Sequence, residues 1–483
     1  MNNFHRCWMG VILALALLSS TRWAYAQTEA KLIPASLSGI NGFGNTIAVS
    51  NDVAVVGAML SDNQQGAAFV FRWDGNAWQE ETRLVPGVVV DKGRFGEAVA
   101  VEGDVALVGA SASANAALAG SAYVYRWNGA VWQEEARLMP DDSTENDNFG
   151  DSVSLLGDVA LVGAILKDEK GAAYIFRRNG DTWQEEAKLT AGDGQAGDLF
   201  GIRVQLQGEE AYIGALSNDD GRGAVYVFRK DGDTWQQTAK LTAGDGVPDD
   251  LFGIVSVRGD VMAVGALGVG GDQGAVYVFR RNGDTWQEEA KLIASDGAAG
   301  EWFGRAVSAG GNLLLIGARF DNGRQGAAYI FKLIGGIWLE KFKLTASDGV
   351  VGDWYGTSVV LDGDRAFVGS FKESGVVYAY TALPTPVETI PATVPSQYTL
   401  TSNYPNPFNP TTTFSYTLPE AATVTIRVYD MLGRTRAVLV DGERQASGSY
   451  DVSFDATGLA SGVYLYRLKT GAFSRSRVMV VQK

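Results

Sequence analysis

Carboxylates dominate the chemistry this chain could perform. It carries 55 Asp and Glu against 40 Lys and Arg, a net charge of −15, with a single His and a single Cys. His5 and Cys7 both lie in the first 26 residues, which read as a removable export signal. The remainder then has no thiol for disulfides, zinc or nucleophilic attack and no imidazole for a triad or metal site. What is left is Asp and Glu, and some of it is regularly spaced. Asp193 and Asp198, Asp245 and Asp250, and Asp348 and Asp353 stand five apart, and Asp296 is followed by Glu301. Oxygen-only ligands of this kind suit a hard cation, so Asp193, Asp198, Asp245, Asp250, Asp296, Asp348 and Asp353 are candidates for calcium. The other reading is that these residues cap turns and keep an exported surface soluble.

Other arrangements invite chemistry and lose it on inspection. The recurrent Trp-Gln-Glu-Glu, as at Trp132–Glu135, puts its two acids on opposite faces of a strand, where they cannot flank one bond as an acid/base pair must; they read as exposed outer-strand positions. Arg258-Gly259-Asp260 spells an adhesion tripeptide, yet Gly-Asp recurs as a hairpin turn and Arg258 stands at its variable position. The Gly268–Gly274 run lacks the following helix that a phosphate loop needs. No catalytic residue and no cofactor-binding residue emerges.

The elements that would position these residues repeat. An aromatic-Gly pair falls at Phe43, Phe95, Phe149, Phe200, Phe252, Phe303 and Tyr355, in steps of 51 to 54 residues, a period of propellers and solenoids. In the second unit, Ala98–Val101 alternates, Gly103-Asp104 turns, and Val105–Val108 ends at Gly109-Ala110. Ala122–Arg126 follows, Asn128-Gly129 turns again, and Val131–Leu138 closes the unit. Short period-2 runs joined by Gly-Asp and Asn-Gly turns are antiparallel strands, and four of them make a propeller blade. Trp marks the fourth strand at 78, 132, 183, 235, 286 and 338 but is absent from the seventh unit, which stops near Tyr380. Glu29-Ala30-Lys31-Leu32 matches Glu186–Leu189 and precedes the first Phe-Gly. It is expected to supply the missing outer strand and close a seven-bladed ring, which leaves no exposed end.

A kelch repeat has a similar period but a Gly-Gly doublet that is not regular here. The order Phe-Gly, Gly-Ala, Tyr-Val-Phe over residues 29–381 resembles the FG-GAP repeat of integrin α-subunit propellers and bacterial surface proteins. The resemblance implies the fold. It does not carry over the integrin calcium loop, because the connection between the first two strands is here a two-residue turn, too short to wrap a cation.

At the N-terminus, Trp8–Leu18 is an apolar run too short to span a bilayer, and Ala24-Tyr25-Ala26 suits signal cleavage. Residues 382–398, with Pro384, Pro386, Pro391 and Pro395, read as an extended linker. Residues 399–483 read as a small β-sandwich, with strands at Thr412–Leu418, Ala422–Tyr429, Gly448–Asp455, Gly462–Lys469 and Ser476–Val481. Asn406-Pro407-Phe408-Asn409-Pro410, Val428–Arg434 and Gly458–Tyr464 in that order resemble the type A sorting domain of type IX secretion. That resemblance implies the secretion machinery as a partner, passage through the periplasm, and a place outside or on the cell surface. This segment holds nine basic and six acidic residues, whereas the ring and linker hold 29 basic and 49 acidic. An acidic ring disfavours nucleic acid and anionic membrane, and no later segment is apolar enough to cross a bilayer.

The all-β architecture expected is thus a seven-bladed propeller followed by a sandwich. Its loops after strands two and four share one face, and that face is expected to bind a protein or glycan as a monomeric, non-enzymatic surface or adhesion module. Two alternatives stand beside it: a carboxylate-dependent polysaccharide hydrolase or lyase, and a structural surface-layer component. Trp302 and Trp354, just before their aromatic-Gly pairs, and the 111–120 loop depart from repeat symmetry.

Overall fold

A computed structural model of the chain describes residues 28–381 and 398–482, apart from 37, 89–90, 112–118, 372–374, 446–447 and 472. The segment expected to be an export signal, most of the linker, the centre of the 111–120 loop and that of the 371–375 loop lie outside the described residues. Two compact units divide between Thr385 and Pro386.

The first unit contains seven four-stranded antiparallel sheets, one per repeat. In the second blade the strands are Phe95–Glu102, Val105–Ala110, Ser121–Trp127 and Trp132–Leu138. Each hairpin follows from its turn: Gly103 adopts φ +55° and Gly129 φ +94°, angles open to glycine at little cost. The last blade comprises Tyr355–Asp362, Arg365–Ser370 and Val376–Thr381, completed by Thr28–Leu32. Glu29 pairs with Tyr380 and Leu32 with Val377, so the predicted closing strand is in place.

Packing between blades is the same at every junction. Among the described residues there are seven apolar clusters in this unit, each built from the facing sides of two successive blades. The junction of the last blade with the first brings Leu32, Phe367 and Val377 against Phe43, Val56 and Phe69. The aromatic-Gly residue sits within these layers: Phe95 meets Tyr123 edge-on at 5.4 Å. The Gly-Ala pair explains the closeness. A Cβ on Gly57 would fall 2.1 Å from the carbonyl oxygen of Gly96 in the next blade, and a Cβ on Gly369 would fall 2.1 Å from that of Gly44. The last blade therefore approaches the first as closely as any other pair, and the ring closes by packing between separate sheets.

The second unit has two sheets. Thr399–Leu400, Thr411–Leu418 and Gly448–Asp455 form one; Thr435–Gln445, Ala422–Asp430, Gly462–Lys469 and Ser474–Val481, in that order, form the other. Phe414, Tyr416, Ile426, Val428, Tyr466 and Leu468 fill the core. The strand Thr435–Gln445 was not expected from the sequence: most of its residues are exposed, and it lacks a clean alternation.

Candidate functional site

The first strand of each blade is interrupted just after its aromatic residue. In the second blade Phe95 pairs with Ala110, but the next pair is Val99 with Val108; in the fourth, Phe200 pairs with Ala215 and then Arg203 with Gly214. The extra residues form a bulge, which turns side chains away from the ladder. All seven bulges line one cavity of about 370 Å³ on the ring axis, with Leu216 and Leu267 from loops after second strands at its edge.

Four ionisable residues from four blades face this cavity: Glu97, Asp151, Arg203 and Arg305. Glu97 lies 3.0 Å from Arg94. Burial nevertheless outweighs that guanidinium and pushes the Glu97 carboxyl up to about 7. Burial likewise raises Asp151, against the pull of Arg203, Arg94 and Arg305. It draws Arg305 down to about 9, helped by Arg203 and Arg319. The Arg203 guanidinium donates to the Ile202 carbonyl at 2.8 Å. Among the described residues, no side-chain hydrogen bond or ion pair engages the Arg305 guanidinium, and the buried Arg319 Nε has no partner.

The rim has its own geometry. The residue before each aromatic-Gly pair takes a left-handed conformation: Gly42, Arg94, Asn148, Leu199, Leu251, Trp302 and Trp354 have φ between +52° and +71°. Bulky residues rarely occupy that region. Trp302 and Phe320 lie 4.8 Å apart, Phe320 and Trp354 5.7 Å, and Trp354 stacks on Phe371 at 5.5 Å. The Arg319 guanidinium stands 4.7 Å from the Trp302 ring and 4.6 Å from that of Phe320, at cation–π range. Arg319 follows Gly317-Ala318 as Leu216 follows Gly214-Ala215, so it occupies the rim place that Leu216 holds two blades earlier.

Farther out, the Asp loops tie blades together. Asp193 accepts the Tyr226 hydroxyl at 2.7 Å and the Lys240 ammonium at 2.6 Å, both from the next blade. Asp245 does the same with Tyr277 and Lys291, Asp296 with Tyr329 and Lys343, and Asp348 with Tyr378 and Lys31. The Lys bond holds the Asp193, Asp296 and Asp348 carboxyls below their usual range.

Family models of the FG-GAP repeat match seven times, at residues 27–71, 78–125, 132–176, 183–228, 235–279, 286–331 and 338–380. The chain belongs to the FG-GAP repeat family. A second model, the secretion system C-terminal sorting domain, matches residues 402–482. This FG-GAP protein is therefore exported by type IX secretion to the cell surface or extracellular space, and its C-terminal unit is the part that meets the secretion machinery. A comparison with curated proteins returns no match. Among solved structures it is similar to a protein described as a 6-phosphogluconolactonase from Bacteroides uniformis, at 11% identity and a TM-score of 0.45, over 64% of this chain and 87% of that one. It is also similar to Sqt1 from Chaetomium thermophilum, at 16% identity and a TM-score of 0.43, over 71% and 83%. No helix among the described residues is long and apolar enough to cross a membrane.

The FG-GAP ring redistributes the residues singled out from sequence. Asp193, Asp245, Asp296 and Asp348 are the inter-blade clasps just described. Their partners five residues on face elsewhere: Asp198 is buried and accepts the Gln195 amide and the Asn218 side chain, each at 2.8 Å, while Asp250 and Asp353 accept the Val247 and Val350 amides. Among the described residues no three acidic side chains gather as a cation shell. The two carboxylates of each loop thus serve different neighbours, one the next blade and the other its own loop.

The Trp-Gln-Glu-Glu acids face opposite ways on the outer strand, Glu134 exposed and Glu135 half-buried, and both are engaged in bonds. Glu134 accepts the Gly87 amide from the preceding blade at 2.7 Å. Glu135 accepts Trp183 Nε1 at 2.8 Å and Arg178 at 2.7 Å from the following one, besides Arg126. Gly259 takes φ +60° as a plain hairpin turn, as expected for the tripeptide. Sequence reasoning missed Glu97, Asp151, Arg203 and Arg305. The available signal was the column just after Phe-Gly, where charge appears in only some blades.

Proposed function

We propose that the FG-GAP ring is a non-enzymatic binding module which meets a protein or glycan outside the cell through the face around the channel mouth. One observation carries this reading. Arg94, Asn148, Leu199, Leu251, Trp302 and Trp354 share one backbone conformation but no common chemistry, whereas the positions that hold blades together repeat. Variation on a constant frame is the pattern of a recognition surface.

The reading is tested by retention on a glycan array and a panel of matrix proteins. Retention should fall for Leu199→Ala and Asn148→Ala and persist for Gln184→Ala, on the outer strand. Failure of every probe, or indifference to the rim substitutions, would favour a scaffold.

One observation favours a second reading, an extracellular carboxylate-dependent hydrolase or lyase. Glu97 and Asp151 share a cavity, and a carboxyl raised to about 7 is suited to proton transfer near neutral pH. Depolymerisation of soluble polysaccharides, abolished by Glu97→Gln, would support it.

A further inference from the structure

The axial cavity combines features that narrow what it could hold. Its volume of about 370 Å³ lies in the range of small-molecule sites, roughly 300–1,000 Å³. The seven first strands surround it, and Leu216 and Leu267 stand at its edge on the rim. Two acids and two guanidinium groups line it, Glu97 and Asp151 with Arg203 and Arg305, while Arg319 stands over the Trp302 and Phe320 rings. Arg94 is spent on Glu97. Arg203 gives one bond to a backbone carbonyl, and Arg305 gives none among the described residues. Guanidinium groups with free donors in a cavity suit a carboxylate, which they can grip through paired bonds.

The acids and the aromatics refine the choice. Glu97 and Asp151 can accept hydrogen bonds from hydroxyl groups, which a bare inorganic anion does not offer. Trp302 and Trp354 sit one turn from cavity-lining residues: the Arg305 amide donates to the Trp302 carbonyl at 3.1 Å, and the Thr357 hydroxyl to the Trp354 carbonyl at 2.7 Å. Their rings, with Phe320 and Phe371, form a half-buried aromatic wall around Arg319, and the apolar face of a sugar stacks on such a wall.

We infer that the channel mouth is a binding site for a uronic-acid type sugar, its carboxylate held by Arg305 and Arg203, its hydroxyls by Glu97 and Asp151, and its ring against the Trp302–Trp354 wall. The sugar can be free or the terminal unit of a glycan. This site rests on the binding reading above and names the ligand class for the centre of that face.

Calorimetry on the full chain decides it, with free glucuronate, a disaccharide ending in glucuronate, glucose and acetate as probes at one pH. Glucuronate should bind at least about tenfold more tightly than glucose or acetate, since each of those lacks one half of the recognition. The disaccharide binding more tightly than the free sugar assigns the site to glycan ends; equal binding assigns it to the free acid. Arg305→Gln should lose roughly tenfold or more in affinity for glucuronate while leaving glucose unchanged. Because Arg305→Gln alters a buried charge, Trp354→Phe provides an independent variant that keeps an aromatic face, expected to weaken both sugars equally and acetate not at all. Glucuronate binding no better than glucose, or unchanged by Arg305→Gln in a chain that melts normally, overturns the site. If the array in the preceding subsection still retains the protein by its rim, only this site fails, and the broader reading stands.

Discussion

The Lys31 ammonium lies 2.9 Å from the Asp348 carboxylate, joining the first strand of the ring to the loop that enters its last blade. It reproduces the Lys240–Asp193 and Lys291–Asp245 contacts of interior blades, so the closing junction uses the same bonds as the rest. Both side chains are partly exposed, at 29% and 54%, and exposed pairs contribute about 1 kcal/mol or less. Leu32 beneath them is fully buried. Lys31→Met should therefore cost up to about 1 kcal/mol and Leu32→Ala about 2–5 kcal/mol in urea unfolding. Equal effects would mean that the strand is not a sealed part of the last blade.

Backbone contact between blades makes a sharper test. Gly163→Ala would place Cβ 2.1 Å from the Gly201 carbonyl oxygen, and Gly369→Ala would do the same to Gly44. Overpacking of this kind costs about 1–3 kcal/mol or more. Gly180→Ala, in a hairpin turn with open space around it and φ +62°, should cost only the left-handed penalty of roughly 1–2 kcal/mol. The first two substitutions should lower the melting temperature alike and more than the third. A harmless Gly369→Ala would show an open ring.

Acid and neutral pH should act on different carboxyls with opposite sign. Burial favours the protonated form of Glu135 and Glu186, but Arg126 with Arg178, and Arg177 with Lys230, outweigh it and hold both near 2, against a usual 4.5. A depressed carboxyl stabilises the fold above its unfolded value, and that stability is lost as pH falls from about 4.5 to about 2. Glu97 is the reverse. Raised to about 7 by burial, it favours the fold most when protonated, and that advantage disappears as pH rises from 4.5 through 7. Glu97→Gln should raise the melting temperature at pH above 7 and leave it unchanged below 4.5. Glu135→Gln should flatten the acid limb instead. Unfolding followed across pH separates the two.

Calcium should have no effect on the ring. Asp193 is held by Tyr226 and Lys240, and Asp198 faces its own loop. Calorimetric melts with excess calcium and with chelator should coincide, whereas Asp193→Asn should lower the melting temperature modestly, by loss of the Lys240 bond. A clear rise in melting temperature on adding calcium would overturn the assignment of these residues as clasps.

Much of this architecture can be read locally. The Phe-Gly and Gly-Ala pairs stand where bulge and close approach need them, and Glu29–Leu32 is recognisable as a fourth strand because it copies Glu186–Leu189. The sandwich strands were legible wherever apolar and polar residues alternate, as in Gly462–Lys469, and were missed in Thr435–Gln445, where they do not. Site residues fared differently. Acidic spacing drew attention to the Asp loops, whose carboxylates bond to the next blade or to their own loop, and away from Glu97 and Asp151, which stand in no motif. In the fourth blade the charge stands one place later in the repeat, at Arg203 beside Ile202, and both line the cavity, so a simple column of aligned repeats blurs the charge pattern.

Sequence alone determined the number of blades, the strand that completes the last one, and the route out of the cell. Each depends on short-range signals: period-2 alternation, tight turns and a compact sorting domain. Only the tertiary structure decided which side chains meet on the axis. Glu97, Asp151, Arg203 and Arg305 belong to four different blades, and it is closure of the ring that draws them into one buried volume. There they share a low-dielectric environment and shift one another's charge, an effect that no single repeat can encode.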